Sequence, residues 1–286
     1  MNIDTTNLDA NGKVVLDHIY NQETPLHFYN ALSEFDYSIP EQALPIFEKL
    51  ISFLKTTRNK DKIKLIDLGS SYGVNGVLLK SSISLDDLFN HYKNPKLRSF
   101  SAGDLLDHDK NWYETENNTI TVIGADISDK ALDYAIETNF IDQKLSGNFE
   151  KRPLKDSEKK SIENTDLIIS TGCIGYVGHK TINELLKPLG ESLPIMAHFV
   201  LRTISFNEID GLTSEKGYKT YKSKKTFHQR NFASREEKRS TLNRLSEMSI
   251  NPTGLETEGS YYANLYLSLP SGIEFSSLPE DIKSLF

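Results

Sequence analysis

A turn of small residues follows a short apolar run in the sequence LIDLGSSYG, residues 65–73. Gly69 and Gly73 allow the backbone to bend there and to approach a ligand closely. A dinucleotide-binding turn has a third glycine between them, where the backbone meets a pyrophosphate, and this chain has Ser71 instead. Asp67 ends the apolar run, where its charge would repel a diphosphate and attract an ammonium group. The turn therefore predicts a ligand with an amine, whose carboxylate would meet the amide groups of the following helix.

A second carboxylate, Asp126, comes at the end of the next apolar run, in TITVIGADIS at 119–128. Acids in this position bind ribose in nucleotide-binding α/β folds, because a carboxylate accepts hydrogen bonds from the ribose hydroxyls. Ile127 suits an apolar wall under an adenine, and Ser128 suits a helix cap. The alternative is that Asp126 only caps the turn or the following helix. If Asp126 binds ribose, the two acids together predict a ligand with an amino acid part and a ribose.

The elements that would position these acids alternate between strand and helix. Residues 41–55 have apolar side chains at helical spacing. Apolar strand patterns, with helical patterns between them, occur at 65–68, 119–128, 165–171, 195–206 and 261–270. Strands that are apolar on both faces belong in a largely parallel sheet covered by helices on each side. We predict an α/β fold with a doubly wound, mostly parallel sheet, in which ligands bind beyond the carboxyl ends of the strands.

Three segments in order, DLGSSYG, GADIS and DLIISTG, resemble the class I S-adenosylmethionine-dependent methyltransferases. The segments DYSIP (36–40), STGCIGYV (170–177) and FVLRT (199–203) are similar to a bacterial branch of that family. The resemblance implies a Rossmann-like methyltransferase fold and S-adenosylmethionine as the cofactor, the ligand that combines an amino acid part with a ribose.

The same resemblance divides the chain into two predicted regions. Residues 1–40 are expected to form an N-terminal helical lid, and 41–286 the methyltransferase domain. Gly69 and Asp126 lie 57 positions apart, whereas the related dinucleotide fold separates these groups by about twenty residues. An insertion at about 83–117, after the first strand-helix unit, is therefore expected.

The resemblance also implies which residues hold the cofactor. The turn after the first strand would bind the amino acid part, the end of the second strand the ribose, the third strand's end the adenine, and the fourth strand's end the methyl group. A plain turn explains Asn148 equally well. The expected cofactor residues are Asp67, Gly69, Ser70, Ser71, Tyr72, Gly73, Asp126, Ile127, Asn148, Phe149, Thr171 and Gly172.

Methyl transfer is an in-line displacement whose rate depends strongly on holding donor and acceptor in near-attack geometry. An amine or thiolate acceptor needs little acid or base chemistry, whereas a hydroxyl needs a base. The family's Asn-Pro-Pro-aromatic loop, which some amino- and DNA-directed members carry, is replaced here by STGCIGY (170–176). The predicted catalytic residues are Tyr176, Tyr37 and His179. The predicted substrate residues are Phe28, Tyr29, Cys173, Arg202 and Arg230.

Each of these residues also has a structural interpretation. The aromatic faces of Tyr72 and Tyr37 favour a cationic donor. Packing explains Tyr72 equally well and is the favoured interpretation of Tyr37. Arg202 would meet a substrate carboxylate with its two-pronged guanidinium, or form a surface salt bridge. Cys173 has no histidine obviously arranged to activate it, so it is expected to line the pocket or the core.

Composition limits the class of protein. The chain has 286 residues, a net charge of −7 and one cysteine, which excludes an internal disulfide. It has no signal-like start and no apolar run near the roughly 18–20 residues that span a bilayer, so a cytoplasmic protein without membrane partners is expected. The histidines show no paired metal-ligand spacing, and no required metal is predicted.

The expected function is methyl transfer from S-adenosylmethionine to a small molecule, with a carboxylate-bearing acceptor as one option. The negative charge disfavours nucleic acid as the default partner. The basic, aromatic segment 215–239 keeps a nucleic-acid or protein methyltransferase open as an alternative, although a solvated strand and helix face also explains it. A non-catalytic S-adenosylmethionine-binding module and, more weakly, a nucleotide-linked oxidoreductase are further alternatives. No oligomeric state is predicted.

Overall fold

The computed structural model describes residues 7–9, 12–15, 17–190 and 192–286. Seven strands in this part of the chain form one sheet. They are β1 (Ile63–Leu68), β2 (Ile120–Asp126), β3 (Gln143–Ser146), β4 (Leu167–Thr171), β5 (Ile195–Leu201), β6 (Tyr218–Asn231) and β7 (Ser260–Pro270).

Helices lie before the sheet, between its strands and after it. They are α1 (Asp17–Tyr20), α2 (Leu26–Glu34), α3 (Ile39–Arg58), α4 (Val74–Lys80), α5 (Leu85–Lys93), α6 (Ala102–Lys110), α7 (Asp129–Glu137), α8 (Asp156–Ile162), α9 (His179–Leu186), α10 (Asn207–Glu215), α11 (Arg235–Glu247) and α12 (Glu280–Lys283). No helix in these described ranges is long and apolar enough to cross a bilayer.

The strand order across the sheet is β3-β2-β1-β4-β5-β7-β6. Strands β1 to β5 are mutually parallel, and β7 runs antiparallel to both of its neighbours, β5 and β6. This arrangement is the class I methyltransferase fold, and it confirms the predicted Rossmann-like sheet. The order reverses between β1 and β4, which is where ligands bind in doubly wound sheets.

Strand β5 shows why the sheet is covered on both faces. All seven of its residues, IMAHFVL, are buried. Alternate side chains of a strand point to opposite faces, so a strand buried throughout needs a packed layer on each side. On one face, Phe199 packs against Phe47 of helix α3, with ring centroids 5.7 Å apart. On the other face, Met196 belongs to a second hydrophobic cluster.

Helix α3 begins two residues before the predicted domain boundary at 40/41. Ile39 is its first residue, Pro40 occupies the first turn, where a missing amide hydrogen costs nothing, and Asn59 ends it in the left-handed conformation with φ 49°. The predicted lid therefore ends inside a helix of the main body. Residues 1–6, 10, 11 and 16 of that predicted lid lie outside the described residues; the division into lid and domain stays a prediction.

The long separation between Gly69 and Asp126 is filled by helical structure. After α4 come α5, a 3-10 turn at Pro95–Ser99 and α6. Both helices begin with a capping box, in which Ser84 and Ser101 each accept a hydrogen bond from the backbone three residues on. Residues 83–117 thus contain two helices and a 3-10 turn, and their assignment as an insertion stays a prediction.

The basic segment 215–239 contains the edge strand β6 and the start of α11. Its lysines, such as Lys219 and Lys224, are exposed, which protects a sheet edge from pairing with another chain. Its aromatic side chains turn inward: Phe227 is buried, and Tyr221 stacks on Phe275 with ring centroids 4.4 Å apart. The lysines of this segment therefore face solvent, and its aromatic side chains pack against the core. This arrangement agrees with the interpretation of 215–239 as a solvated strand and helix face.

Candidate active site

A cavity of about 650 Å³ lies at the carboxyl ends of the parallel strands. Its walls come from the N-terminal segment, the turns that follow β1 and β2, the loops after β3 and β4, and the end of β6. This volume is typical of a small-molecule site, for which about 300–1,000 Å³ is usual. Among the predicted site residues, those that line it are Phe28, Tyr37, Gly69, Ser70, Ser71, Asp126, Ile127, Asn148, Phe149, Thr171, Gly172, Cys173, Tyr176 and Arg230.

The turn after β1 has a backbone that favours small residues. Gly69 and Ser71 have positive φ angles, 68° and 49°. The turn is tied to β2, because the Gly69 amide donates to Ala125 O at 2.8 Å and the Ser71 amide donates to Asp126 Oδ2 at 2.9 Å. A Cβ atom on Gly69 would lie 2.5 Å from the Cβ of Cys173. Glycine at this position therefore lets the loop after β4 approach the turn.

Gly69→Ala tests this close approach. Gly254 has a similar φ, 73° against 68°, but no heavy atom within 4 Å of an added Cβ, so Gly254→Ala is a matched control for backbone strain. We expect Gly69→Ala to lower the free energy of unfolding by about 1–3 kcal/mol more than Gly254→Ala, because of overpacking. Urea unfolding of both variants measures the difference. Equal losses of stability would show that the protein relieves the contact between the added Cβ and Cys173 without any loss in the free energy of unfolding.

Gly73 has a different role from the one predicted. It starts α4 with φ 78°, and an added Cβ would lie 2.9 Å from the Cβ of Phe140 and 3.1 Å from that of Ala135. It does not line the cavity. Gly73 therefore permits close packing between α4 and the α7 side of the protein, and we withdraw it as a direct cofactor contact.

Asp67 is fully buried and is not itself part of the cavity wall. Asn75, in the first turn of α4, does line the cavity, and its Nδ2 donates to Asp67 Oδ1 at 2.8 Å and to Thr171 Oγ1 at 3.1 Å. Asn75 therefore joins the ends of β1 and β4. The sequence analysis missed it, although a polar residue inside the apolar run VNGVLL was a usable signal.

Three buried polar atoms at this turn have no hydrogen-bond partner within the described part of the chain. They are Asp67 Oδ2, Ser70 Oγ and Ser71 Oγ. Burial raises the pKa of Asp67 to about 7, against the opposing effects of the Asn75 hydrogen bond and of the nearby Ser70 hydroxyl. Buried polar groups are normally paired, so these atoms point to a ligand that donates hydrogen bonds. An ammonium group beside Asp67 fits this requirement, and the site is compatible with the amino acid part of S-adenosylmethionine.

Asp126 uses its carboxylate to hold two turns. Its Oδ2 accepts from the Ser71 amide and its Oδ1 accepts from the Ser128 amide, each at 2.9 Å. The capping interpretation is therefore correct as far as these contacts go. A carboxylate has about four acceptor positions, so Asp126, which also lines the cavity, keeps acceptor capacity for ribose hydroxyls. Burial raises its pKa.

An apolar surface adjoins Asp126. Ile127 is 72% exposed, unusual for a large aliphatic side chain, and it lines the cavity together with Asn148 and Phe149. Asn148 Oδ1 accepts from the Glu150 amide at 3.1 Å, so its side chain also stabilises the turn after β3. These residues form a wall against which a flat aromatic group such as adenine fits.

The loop after β4 closes the opposite side of the cavity. Gly172 has φ 110°, and an added Cβ would lie 2.3 Å from Gln229 Nε2. Tyr37 donates its hydroxyl to Thr171 O at 3.3 Å. Burial, helped by the charge of Asp67, raises the pKa of Cys173 to about 12. Cys173 is therefore a neutral thiol in the cavity wall and unsuited to act as a nucleophile at neutral pH.

Two predicted aromatic contacts are packing residues. Tyr29 is fully buried and stacks on Tyr92, with ring centroids 4.4 Å apart. Tyr72 is fully buried as well; it exchanges hydrogen bonds with the backbone of Gln22, whose amide donates to the hydroxyl at 3.0 Å. Neither residue lines the cavity. Tyr72 instead ties the turn after β1 to the N-terminal segment, and we withdraw both as ligand contacts.

Two predicted polar residues are engaged elsewhere. His179 Nδ1 lies 3.0 Å from Glu208 Oε2 on the surface. Arg202 donates from Nη1 to the buried carboxylate of Glu256 at 2.7 Å and from Nη2 to Asn251 O at 2.7 Å. Neither lines the cavity. The salt-bridge alternative therefore describes Arg202, and His179 is not placed to act as a base.

Arg230 is at the cavity wall but its charge is already paired. It is 2% exposed and forms a two-pronged ion pair with the buried Glu237, at 2.6 and 3.0 Å. Glu237 also accepts from the Val14 and Ala233 amides, each at 2.7 Å. The pair therefore anchors residues 12–15, which we call the N-terminal strap, against the start of α11.

A second polar cluster lies away from the cavity, in the inserted helices. His91 Nε2 and His108 Nδ1 are 2.8 and 3.1 Å from Asp109 Oδ1, and these three groups lie within 4.8 Å of one another. Asp109 Oδ2 accepts from the hydroxyls of Tyr92 and Tyr134 at 2.7 and 2.6 Å. Four hydrogen bonds to one buried carboxylate account for this cluster without an ion.

Comparison of the sequence with protein-family models and with curated proteins finds no match. Solved structures are similar at low identity. One is an S-adenosylmethionine-dependent methyltransferase from Aquifex aeolicus (13% identity, TM-score 0.40, 90% of this chain and 99% of that chain covered). Another is magnesium protoporphyrin IX methyltransferase from Synechocystis, with bound S-adenosylmethionine (11%, 0.39, 80% and 79%).

A third similar structure is a TehB-like S-adenosylmethionine-dependent methyltransferase from Corynebacterium glutamicum (12% identity, TM-score 0.38, 76% of this chain and 86% of that chain covered).

Proposed function

We propose that this protein transfers a methyl group from S-adenosylmethionine to a small-molecule acceptor. The observation that carries the proposal is the combination of an unpartnered buried carboxylate oxygen, Asp67 Oδ2, with a second carboxylate, Asp126, at the end of the neighbouring strand. The first matches an amino group and the second a ribose. A diphosphate would meet two negative charges here, which argues against a dinucleotide.

Different residues of the chain would hold the different parts of S-adenosylmethionine. Asp67 and Asn75 would hold the amino group, Asp126 the ribose, and Ile127 with Phe149 the adenine. When bound, S-adenosylmethionine supplies an electrophilic methyl group on a positively charged sulfur. The residues around Thr171 and Cys173 would hold the acceptor in line, and the N-terminal segment, through Phe28 and Tyr37, would exclude water. Positioning of this kind supplies much of the acceleration in such displacements.

The position of the cavity, away from the basic face of β6, favours a small acceptor over nucleic acid. The exposed lysines of β6 are not among the residues that line it, and the cavity walls include the N-terminal segment. A polyanion bound along that lysine face would gain charge contacts, but it would not enter the cavity. A non-catalytic module that binds S-adenosylmethionine remains the competing explanation, and turnover separates the two.

Calorimetric titration with S-adenosylhomocysteine tests the cofactor site. Asp126→Asn is expected to weaken binding about 10- to 100-fold, because hydrogen bonds to a charged group contribute about 1.5–3 kcal/mol. Asp142→Asn is the control: Asp142 also accepts from a strand amide, that of Val122 at 2.8 Å, but lies outside the cavity. Unchanged affinity in Asp126→Asn, or tight binding of NAD to the wild type, would contradict the proposal.

A further inference from the structure

A buried amide faces the cavity beside the loop after β4. Gln229, on β6, lines the cavity and is 3% exposed. Its Oε1 has no hydrogen-bond partner in the part of the chain that is described. Gly172 leaves the space that the Gln229 amide occupies, since an added Cβ there would lie 2.3 Å from Nε2. An unpaired buried carbonyl oxygen costs about 1–3 kcal/mol, so this amide is arranged for a group that donates a hydrogen bond.

A cation lies at the same end of the cavity. Lys13, in the N-terminal strap, lines the cavity, and its Nζ is 5.8 Å from the ring centre of Tyr176, another lining residue. No hydrogen bond or ion pair of this ammonium occurs within the described residues. The guanidinium of Arg230, the other basic group in the wall, is held by Glu237. Lys13 is therefore the charge available to an anionic ligand in this part of the structure.

The acids in the cavity wall are engaged elsewhere. Asp126 holds the turns after β1 and β2, as described above. Glu150 Oε1 accepts from the Gly178 amide, the Thr181 amide and the Thr181 hydroxyl, at 2.8, 3.0 and 2.6 Å. An acceptor that carried a carboxylate would thus meet Lys13 without an opposing unpaired acid.

We propose that the acceptor is a small carboxylate bearing an N–H or O–H group, with the carboxylate bound by Lys13 and the N–H or O–H hydrogen donated to Gln229. This inference rests on the proposed function, and it moves the carboxylate contact from Arg202 to the N-terminal strap. The atom that donates to Gln229 is the methyl acceptor, which narrows the reaction to nitrogen or oxygen methylation. The acceptor's lone pair forms the new bond to the methyl carbon as the carbon–sulfur bond breaks, and S-adenosylhomocysteine leaves. An amine acceptor then releases its extra proton to solvent water, whereas a hydroxyl acceptor passes its proton to a water molecule that acts as the base.

The ionisation of Lys13 supports this arrangement. Burial, together with the charge of Arg230, lowers its pKa to about 8. The titratable or charged groups that face it are Asp9, Cys173, Tyr176, Arg230 and Glu237. Because a bound carboxylate favours the protonated amine, its affinity is expected to fall as the pH rises through about 8. A merely structural lysine would not produce that dependence on the acceptor's charge.

Transfer of a tritiated methyl group into matched mixtures tests the proposal. One mixture contains anthranilate, 4-hydroxybenzoate, glycine and 3-hydroxybutyrate, and the other contains their primary amides. We expect incorporation into the acids only. Lys13→Met should raise the KM for the active acid about 10- to 100-fold with less change in kcat, and should remove the rise of KM above pH 8. Lys219→Met, an exposed lysine of β6 outside the cavity, is the control.

Gln229→Leu provides the second arm. It keeps the volume but removes the acceptor oxygen, and we expect kcat for the active acid to fall at least tenfold while the affinity for S-adenosylhomocysteine changes less than about twofold. Equal incorporation into the amides, or none into any acid by a wild-type protein that binds S-adenosylhomocysteine, would overturn the inference. Failure of the wild type to bind S-adenosylhomocysteine would instead contradict the proposed function.

Discussion

Asp67→Asn is expected to stabilise the free protein above neutral pH and, at the same time, to weaken cofactor binding. Burial raises the pKa of Asp67 to about 7, from the usual 3.8 of an aspartate side chain. A raised folded-state pKa means that the folded protein binds a proton that the unfolded chain releases, so stability is greatest below about pH 4 and is lost as the pH rises through 7. At 1.36 kcal/mol per pKa unit, the ionised carboxylate lowers the free energy of unfolding by about 4 kcal/mol.

Asparagine removes that cost and keeps an oxygen for the hydrogen bond from Asn75. Urea unfolding should therefore show a gain of up to about 4 kcal/mol for Asp67→Asn at pH 8 and little change at pH 4. Titration at pH 8 should show S-adenosylhomocysteine binding weakened about tenfold or more, because the amine loses its counter-charge. A variant that is destabilised at pH 8 would show that Asp67 contributes to the fold and is not held ready for a ligand.

Asp142→Asn is expected to change the stability at pH 8 in the opposite direction from Asp67→Asn. Asp142 forms an ion pair with Lys80 at 2.9 Å and accepts from the Val122 amide. Asp142→Asn removes a favourable charge contact, so we expect a loss of stability at pH 8 and no change in S-adenosylhomocysteine affinity.

Arg230→Met is expected to have the largest effect on stability. Arg230 and Glu237 are both buried, and removal of one partner leaves an uncompensated buried charge, which costs about 3–5 kcal/mol. Because Glu237 also accepts from the Val14 amide, disturbance of the pair should loosen the N-terminal strap and thereby Lys13. Urea unfolding measures the first effect, and proteolysis within residues 12–15 measures the second.

Arg230→Met combined with Glu237→Gln separates charge from packing. The double variant removes both charges, while the glutamine carbonyl still accepts from a backbone amide. We expect it to recover at least 1 kcal/mol of the loss in Arg230→Met, because it no longer has a buried charge without a partner. A double variant as unstable as Arg230→Met would mean that packing of the arginine stem, and not the ion pair, provides the stabilisation.

Local sequence patterns predicted five of the seven strands described in the sheet, β1, β2, β4, β5 and β7, and the acids at the ends of β1 and β2. Asp67, Gly69 and Asp126 follow apolar runs whose period and length are properties of the chain itself, and parallel strands bring such ends to one edge of a sheet. The alternation of strand and helix was therefore enough to predict a doubly wound, mostly parallel sheet.

The acceptor side of the cavity was harder to predict because distant segments build it. Lys13 comes from the N-terminal strap, and Gln229 from an edge strand that lies beside β7. Arg202 directly follows β5, as expected of a rim residue, but it forms an ion pair with the buried Glu256. Nothing in the neighbouring sequence indicates that Arg202 and Arg230 both pair with buried glutamates, whereas the ammonium group of Lys13 faces the cavity. Such pairing is decided by tertiary packing.

A crystal structure of the protein with S-adenosylhomocysteine tests the central claim most directly. The claim predicts that the homocysteine amine lies within hydrogen-bond distance of Asp67 or Asn75, that the ribose hydroxyls lie within the same distance of Asp126, and that the sulfur faces the loop containing Thr171 and Cys173. Binding of S-adenosylhomocysteine outside this cavity, or with its ribose away from Asp126, would contradict it.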